Sequence, residues 1–285
     1  MAEKFKVKQE DKLLNFLFAT LNGWSKKKVK ERLKSATVAV NGEVTTKHDF
    51  PLNVEDIVEV GVIQKRKTSQ NAIKRLEILY QDADIIAVNK PHGLLSVGTT
   101  SENRQHALAL LRNQLSRGKN SVKIFPVHRL DRETSGVLLF ATSKEIREQI
   151  MERWEEADKI YLAVVEGRPK EPKGTINQPL RLDENEYKMH VGEHKFAKQA
   201  ITHYEVKKSE TKRSLLEVKL ETGRQHQIRA HLSWLGHAVV GDERYGRKGD
   251  KLGLHARYLK IYHPIKKSFL SFEVDTPVEF NALLN

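Results

Sequence analysis

One stretch, QKRKTSQNAIKR at 64–75, most constrains what this chain can fold into. It carries several charges and little apolar periodicity, so it offers no face to a core and reads as a linker. A linker at 63–75 divides the 285 residues into a small module, 1–62, and a larger domain, 76–285, and each must close a core of its own.

In the module, DKLLNFLFATL predicts a helix with Leu13, Leu14, Leu17 and Leu21 inward. SKKKVKERLKS predicts a second helix, capped by Ser25, with Val29 and Leu33 four apart on one face. Lys26, Lys27, Lys28, Lys30, Arg32 and Lys34 cover the remainder. Such a surface is ordinarily just solvated. TVAVNGEVT then alternates around Asn41-Gly42, a signal for a tight hairpin, and EDIVEV supplies a last strand. Two short helices, the second basic, and a hairpin carrying Val-Asn-Gly resemble the small S-four-type RNA-binding module named after a ribosomal small-subunit protein. The resemblance spans residues 12–60 and implies that Lys26, Lys27, Lys28 and Lys30 contact RNA.

The larger domain opens with LEILYQDADIIAVNKPHGLLSV, which reads as two short strands around Asp82 and Asp84, then a turn at Asn89-Lys90-Pro91 and Gly93. RQHALALLRNQL is helical and GVLLFAT is a buried strand. Thr142 and Glu145 form a capping-box pattern ahead of a helix whose face is Ile146, Ile150 and Trp154. IYLAVVEG alternates, with Ile160, Leu162 and Val164 on one face and Tyr161, Ala163 and Val165 on the other, where a tyrosine is usually core packing. SLLEVKL is another strand. At ETGRQHQIRAHLSWLGH the period changes: Ile228, Leu232 and Leu235 stack down a helix that Gly236 can end. Strands and helices mix without regular βαβ alternation. The expectation is an α+β fold, a largely antiparallel or mixed sheet with flanking helices, plus the small N-terminal α/β module.

Cysteine is absent, which removes thiolate nucleophiles, Cys-ligated zinc, iron–sulfur clusters and the zinc nucleobase deaminases. A formal charge of +13 points to a polyanionic partner. No apolar run approaches the roughly 20 residues of a membrane span and the N-terminus has no signal-peptide core, so a cytoplasmic protein without a membrane role is expected. Phosphate-loop, dinucleotide and serine-hydrolase fingerprints are missing. HVGEH at 190–194 has the residue order of some zinc proteases, but Gly192 argues against the helix needed to converge the histidines, and no metal is expected.

The remaining candidate is VHRLDRETSGVLLFA at 127–141, where Asp131 stands between Arg129 and Arg132 before a buried strand. A lone Asp there is most often a turn former. Flanking guanidinium groups favour an ionised carboxylate and bind phosphate, so the motif also fits an ionised nucleophile beside a phosphate-rich substrate.

Together with NKPHGLLSV, KIYLAVVEG, TGRQHQIRAHLSWLGHAVVGDERYG and LHARYL, that motif resembles the RluA/RluD family of pseudouridine synthases, with the blocks in family order across 76–275. The resemblance implies Asp131 as the catalytic aspartate, Tyr161 as the active-site tyrosine and Arg229 as the aspartate's basic partner. It also implies Arg129 as the arginine that helps displace the target uridine, with His128 and Arg224 as further RNA or base-flipping contacts. Uridine isomerisation breaks N1–C1′, turns the uracil within its pocket and joins C5 to C1′, with nothing oxidised, reduced or added. The carboxylate would act as a nucleophile at the sugar or as the base that takes the C2′ proton. The implied protein is a monomer without metal or organic cofactor, acting on RNA: ribosomal RNA is favoured by the docking module, with transfer RNA the alternative. Competing readings are a non-catalytic RNA-binding protein and a carboxylate hydrolase. The latter needs a second positioned carboxylate, and Glu133 is the acidic neighbour of Asp131 in sequence.

Overall fold

A computed structural model describes residues 3–34, 37–61, 75–98, 105–116, 122–184 and 186–285. The chain forms two compact units, Met1–Ala72 and Ile73–Asn285. The expected linker, apart from Arg75, lies outside the described residues, as does the last residue of the lysine-rich helix expected at 25–35.

The smaller unit runs β1 (Glu3–Lys6), β2 (Asp11–Lys12), α1 (Leu13–Thr20), α2 (Lys26–Lys34), β3 (Val38–Val40), β4 (Glu43–Val44), β5 (Pro51–Leu52) and β6 (Ile57–Val60). Its sheet has the order β1-β6-β3-β4, and β2 pairs with β5. Leu13, Leu17 and Leu21 pack with Val29 and Leu33 of α2 on Val38, Val40, Val58 and Val60. Leu14 is half-buried at the margin of that stripe, because a turn of 100° per residue carries it away from Leu13 and Leu17. Ser25 Oγ accepts the Lys28 N–H at 3.3 Å, as a cap does. The hairpin turn has Asn41 at φ 51° and Gly42 at φ 85°, both positive, as a primed turn requires.

The larger unit runs β7 (Glu77–Gln81), β8 (Ile85–Lys90), α3 (Ala107–Leu115), β9 (Phe125–Pro126), β10 (Ser135–Ala141), α4 (Lys144–Glu152), β11 (Asp158–Glu166), β12 (Lys173–Asn177), β13 (Leu180–Asp183), β14 (Lys188–Val191), β15 (Ile201–Ser209), β16 (Arg213–Leu220), α5 (Gln227–Trp234), β17 (Leu254–His263), β18 (Ser268–Glu273) and α6 (Glu279–Leu284). The main sheet has the order β12-β15-β16-β11-β17-β10-β8-β7, with β9 on β10 and β18 on β17. Its pairs are antiparallel except β10 on β17. The fold is thus α+β on a mixed sheet. Alternation along β11 divides its side chains as the pattern predicts: Leu162 and Val164 pack on Phe280 and Leu284 of α6, while Tyr161, Ala163 and Val165 join the cluster of Ile228 and Leu232 on α5. No described helix is long and apolar enough to cross a membrane.

Two local expectations are corrected. The cap of α4 is Ser143, whose side chain accepts the Ile146 N–H at 3.2 Å; Thr142 Oγ1 instead donates to the carbonyls of Ala83 and Asp84. The turn after β8 begins later than the sequence suggests, because Lys90 completes the strand and is fully buried.

Gly136 makes the parallel pairing of β10 with β17 possible. At φ +114° it lies against Ala256, whose carbonyl oxygen would be 2.1 Å from an added Cβ. Gly136→Ala therefore combines backbone strain with overpacking and is expected to destabilise the larger unit by at least about 3 kcal/mol. Urea unfolding checks this, and a loss below about 1 kcal/mol would show that β10 and β17 can separate without penalty.

Candidate active site

The loop between β9 and β10, the start of α5 and the first half of β11 surround a cleft of about 1060 Å³. Asp131 stands in that loop, and buried anchors hold the backbone on both sides of it. Ser96 Oγ donates to the Leu130 carbonyl at 2.7 Å and accepts the Leu130 N–H at 3.0 Å. Lys90 Nζ donates to the carbonyls of Arg132 at 3.0 Å, Leu94 at 2.7 Å and Pro91 at 3.0 Å. The two anchors fix Leu130 and Arg132, so the carboxylate between them is aimed by the backbone.

Arg229 projects from α5 onto that carboxylate. Its Nη1 donates to Asp131 Oδ2 at 2.9 Å, while Nε and Nη2 grip Asp242 at 2.7 and 2.9 Å. The Asp242 side chain is fully buried and also accepts the backbone N–H groups of Arg244 and Tyr245. Burial alone would raise the Asp242 carboxyl; the Arg229 guanidinium and those N–H donors outweigh it and hold the group below its usual range. One planar cation is thus locked by a buried carboxylate and presents its remaining edge to Asp131.

Tyr161 lines the same cleft, and burial, then the nearby Asp131 charge, push its phenol well above the usual range, so the ring keeps its proton. Arg129 and Arg224 are exposed on the cleft's rim, where Arg224 Nε also donates to the Gln199 carbonyl at 3.0 Å. His128 lines the cleft too, but its Nε2 accepts the Leu139 N–H at 3.2 Å and its ring packs on Trp154. Burial, reinforced by the Lys159 charge, lowers its pKa to about 4, so the ring facing the cleft is neutral near pH 7. Lys26, Lys27, Lys28 and Lys30 are exposed on α2 in the other unit, where Lys28 Nζ lies 4.1 Å over the Trp24 ring.

His226, Asp242 and Lys90 belong to the site and were not singled out by sequence. His226 caps α5 at φ 50°, a left-handed conformation uncommon outside glycine and characteristic of constrained sites. The Tyr245 hydroxyl accepts the Met189 N–H at 2.7 Å and lies 3.1 Å from His226 Nδ1. The His226 Nε2 lies 3.7 Å from Asp131 Oδ2. Arg229 and His226 both approach Oδ2, and Oδ1 has no hydrogen bond among the described residues. The available signal for Asp242 was its short acceptor spacing to Arg244 and Tyr245, a local turn pattern indistinguishable from many others.

The HVGEH histidines fall on β14 and past Gly192 at φ +124°, not on a helix. Among the described residues the cluster with metal-ligand spacing is instead Asp82, Asp84 and His263, where Lys266 Nζ already sits 2.9 Å from Asp82.

Lys90 gives a pH signature. Burial lowers its pKa to about 7, against Glu133 and Asp131, which raise it, whereas an unfolded lysine titrates near about 10.4. Between those values the unfolded chain binds a proton that the folded chain lacks, so stability should rise with pH from about 7 to about 10. Lys90→Met should flatten that rise, measured by urea unfolding across the range. An unchanged slope would assign it to other groups.

A family profile described as RNA pseudouridylate synthase matches residues 84–234. The chain is 37% identical over 215 residues to tRNA pseudouridine synthase C of Haemophilus ducreyi, covering 66% of this chain and 86% of that protein. It is 28% identical over 281 residues to ribosomal large subunit pseudouridine synthase D of Escherichia coli O6:H1, covering 92% of this chain and 86% of that one. Among solved structures, human RNA pseudouridylate synthase domain containing 4 aligns with a TM-score of 0.60 at 27% identity, over 73% of this chain and 91% of that one.

Proposed function

The chain belongs to the RNA pseudouridylate synthase family, and on that premise we propose that Asp131 carries the isomerisation, with Arg229 as its ionic partner and Tyr161 as the wall against which the uracil lies. The observation that carries this reading is the Asp131–Arg229–Asp242 chain at 2.7–2.9 Å, which runs from the cleft to a fully buried carboxylate. With Oδ2 facing Arg229 and His226, Oδ1 is left for the ribose. It either attacks C1′ as uracil departs through N1 or takes the C2′ proton and later returns it. In both routes the uracil turns and C5 bonds to C1′, and the C5 proton is lost to solvent. The neutral Tyr161 ring offers an apolar face on which a detached uracil can rotate without being hydrolysed away. Arg129, exposed at the rim, is placed to enter the stack vacated by a flipped uridine.

The hydrolase reading is disfavoured by the carboxylates themselves. Asp242 is buried with four N–H donors on it, so it is not set to activate water, and Glu133 Oε2 lies 3.0 Å from His92 Nε2, outside the Asp131–Arg229 contact. Every residue lining the cleft comes from the Ile73–Asn285 unit, which supports catalysis by a monomer.

The substrate favoured is large-subunit ribosomal RNA. A match over 92% of the chain, as with the large-subunit enzyme, must include much of the smaller unit, whereas one over 66%, as with the transfer RNA enzyme, need not. The smaller unit's two helices, Asn-Gly hairpin and exposed lysines fit an S-four-type RNA-binding module. Carbodiimide mapping of pseudouridine in RNA from cells with and without the gene tests the assignment. A large-subunit site that disappears on deletion and returns with the wild-type gene supports it; a disappearance confined to transfer RNA refutes it.

The module's own role is separately measurable. Replacing Lys26, Lys27, Lys28 and Lys30 by alanine should weaken RNA binding and flatten the plot of log affinity against log salt by about 0.7 to 0.9 for each phosphate that the lysines had neutralised. An unchanged slope would mean that this face is merely solvated.

A further inference from the structure

Lys159 stands two residues before Tyr161 on β11, and both side chains line the cleft that contains Asp131. β11 keeps a regular register with β16, Lys159 opposite Leu220 and Tyr161 opposite Val218, so the two side chains leave the same face about 7 Å apart. Lys159 is only 6% exposed, yet no carboxylate lies within ion-pair distance of it among the described residues. Lysine is almost never buried to this degree without a partner. Its ammonium reaches the carbonyl oxygens of Trp154 and Glu221, both at 3.4 Å, and lies 5.7 Å from the Trp154 ring centroid. Those contacts are long beside the roughly 2.7–2.9 Å of a charge-assisted hydrogen bond. Three N–H donors on a largely dehydrated cation thus face two weak neutral acceptors on the cleft wall, and the Asp158 and Glu155 charges act on it from beyond ion-pair distance.

We infer that Lys159 forms a phosphate subsite, its ammonium binding a backbone phosphodiester beside the uridine that lies between Tyr161 and Asp131. The inference rests on the reading of the cleft as the RNA isomerisation site. A phosphate supplies the full negative charge and short acceptors that the two carbonyls lack, and each nucleotide brings one within a sugar's reach of its base. The two carbonyls, of Trp154 and Glu221, hold the charge in place before RNA arrives. Lys159 is therefore a binding residue, and its contribution belongs to substrate affinity and register.

Lys159→Met keeps the stem and removes the charge; Lys159→Arg keeps the charge. Both are to be compared with wild type on RNA from cells lacking the gene, labelled with tritium at uracil C5, by filter binding across a salt series and by tritium release. For Lys159→Met the expected result is a fall in kcat/KM of roughly tenfold, carried by KM. Its salt slope should be shallower by about 0.7 and its melting temperature should match wild type. Lys159→Arg should restore the slope. A Lys159→Met protein with wild-type affinity and slope overturns the inference. So does one that melts early and loses kcat with its slope intact, since Lys159 would then only tie two carbonyls together. Wild-type protein that binds this RNA but releases no tritium would sink the isomerase reading, while the two salt slopes would still decide whether Lys159 meets phosphate.

Discussion

Asp131→Asn lowers turnover by at least roughly a thousandfold and leaves RNA affinity within about twofold of wild type, the expected pattern for a group whose contribution is made in the reaction and not in binding. The amide preserves shape, and the anchors at Leu130 and Arg132 lie on the backbone, so the loop should hold its position. What disappears is the oxygen that attacks C1′ or takes the C2′ proton, whichever route operates. An amide in place of that carboxylate also leaves Arg229 without one of its two anions, although Asp242 still grips it through two hydrogen bonds. Tritium release and filter binding on the same RNA read the two quantities separately. Residual turnover above a few per cent of wild type would remove Asp131 from the proposed role.

Arg229→Ala should fail in a second and different way, by unfolding as well as by losing activity. Asp242 is fully buried, and without the guanidinium it retains only the backbone N–H groups of Arg244 and Tyr245. Removing one partner of a buried pair costs about 3–5 kcal/mol because an uncompensated charge remains. The pH dependence follows from Asp242. In wild type its folded-state pKa lies below the unfolded value of about 3.9, so its contribution is present above that value and is lost as pH falls. In Arg229→Ala the depression disappears and burial pushes the carboxyl upward, so protonation relieves the variant as pH falls. The deficit should therefore be larger at pH 7 than at pH 4. Adding Asp242→Ala should recover part of the stability and none of the turnover. Equal deficits at both pH values, or full turnover in the single variant, would break the account of this ion chain.

Local order was legible where it depended on local pattern. The alternation of IYLAVVEG places Tyr161 on the α5 side of the sheet, and the period change after Gly223 marks the helix that bears Arg229. Asn41-Gly42 and the Ser25 cap are likewise short-range signals. The candidate site is another matter, because its contacts join residues far apart in the chain. Asp131 and Arg229 are separated by 98 positions, and only the family resemblance named them together. Asp242 carries no mark of being buried, Lys90 looks like part of a turn, and the left-handed backbone of His226 is invisible to hydrophobic periodicity. The Ser143 cap was missed by one residue because Thr142 has an equivalent hydroxyl, and only the carbonyls of Ala83 and Asp84, brought in by β8, decide between them. Where a group's environment is assembled by the sheet, composition and spacing do not contain it.

The most direct test of the central claim is the product made from RNA labelled in the uracil ring and at C5. Wild-type protein should convert uridine to pseudouridine with one tritium released for each pseudouridine formed and no free uracil. Free uracil accompanied by abasic sites, or tight RNA binding with neither product, would contradict it.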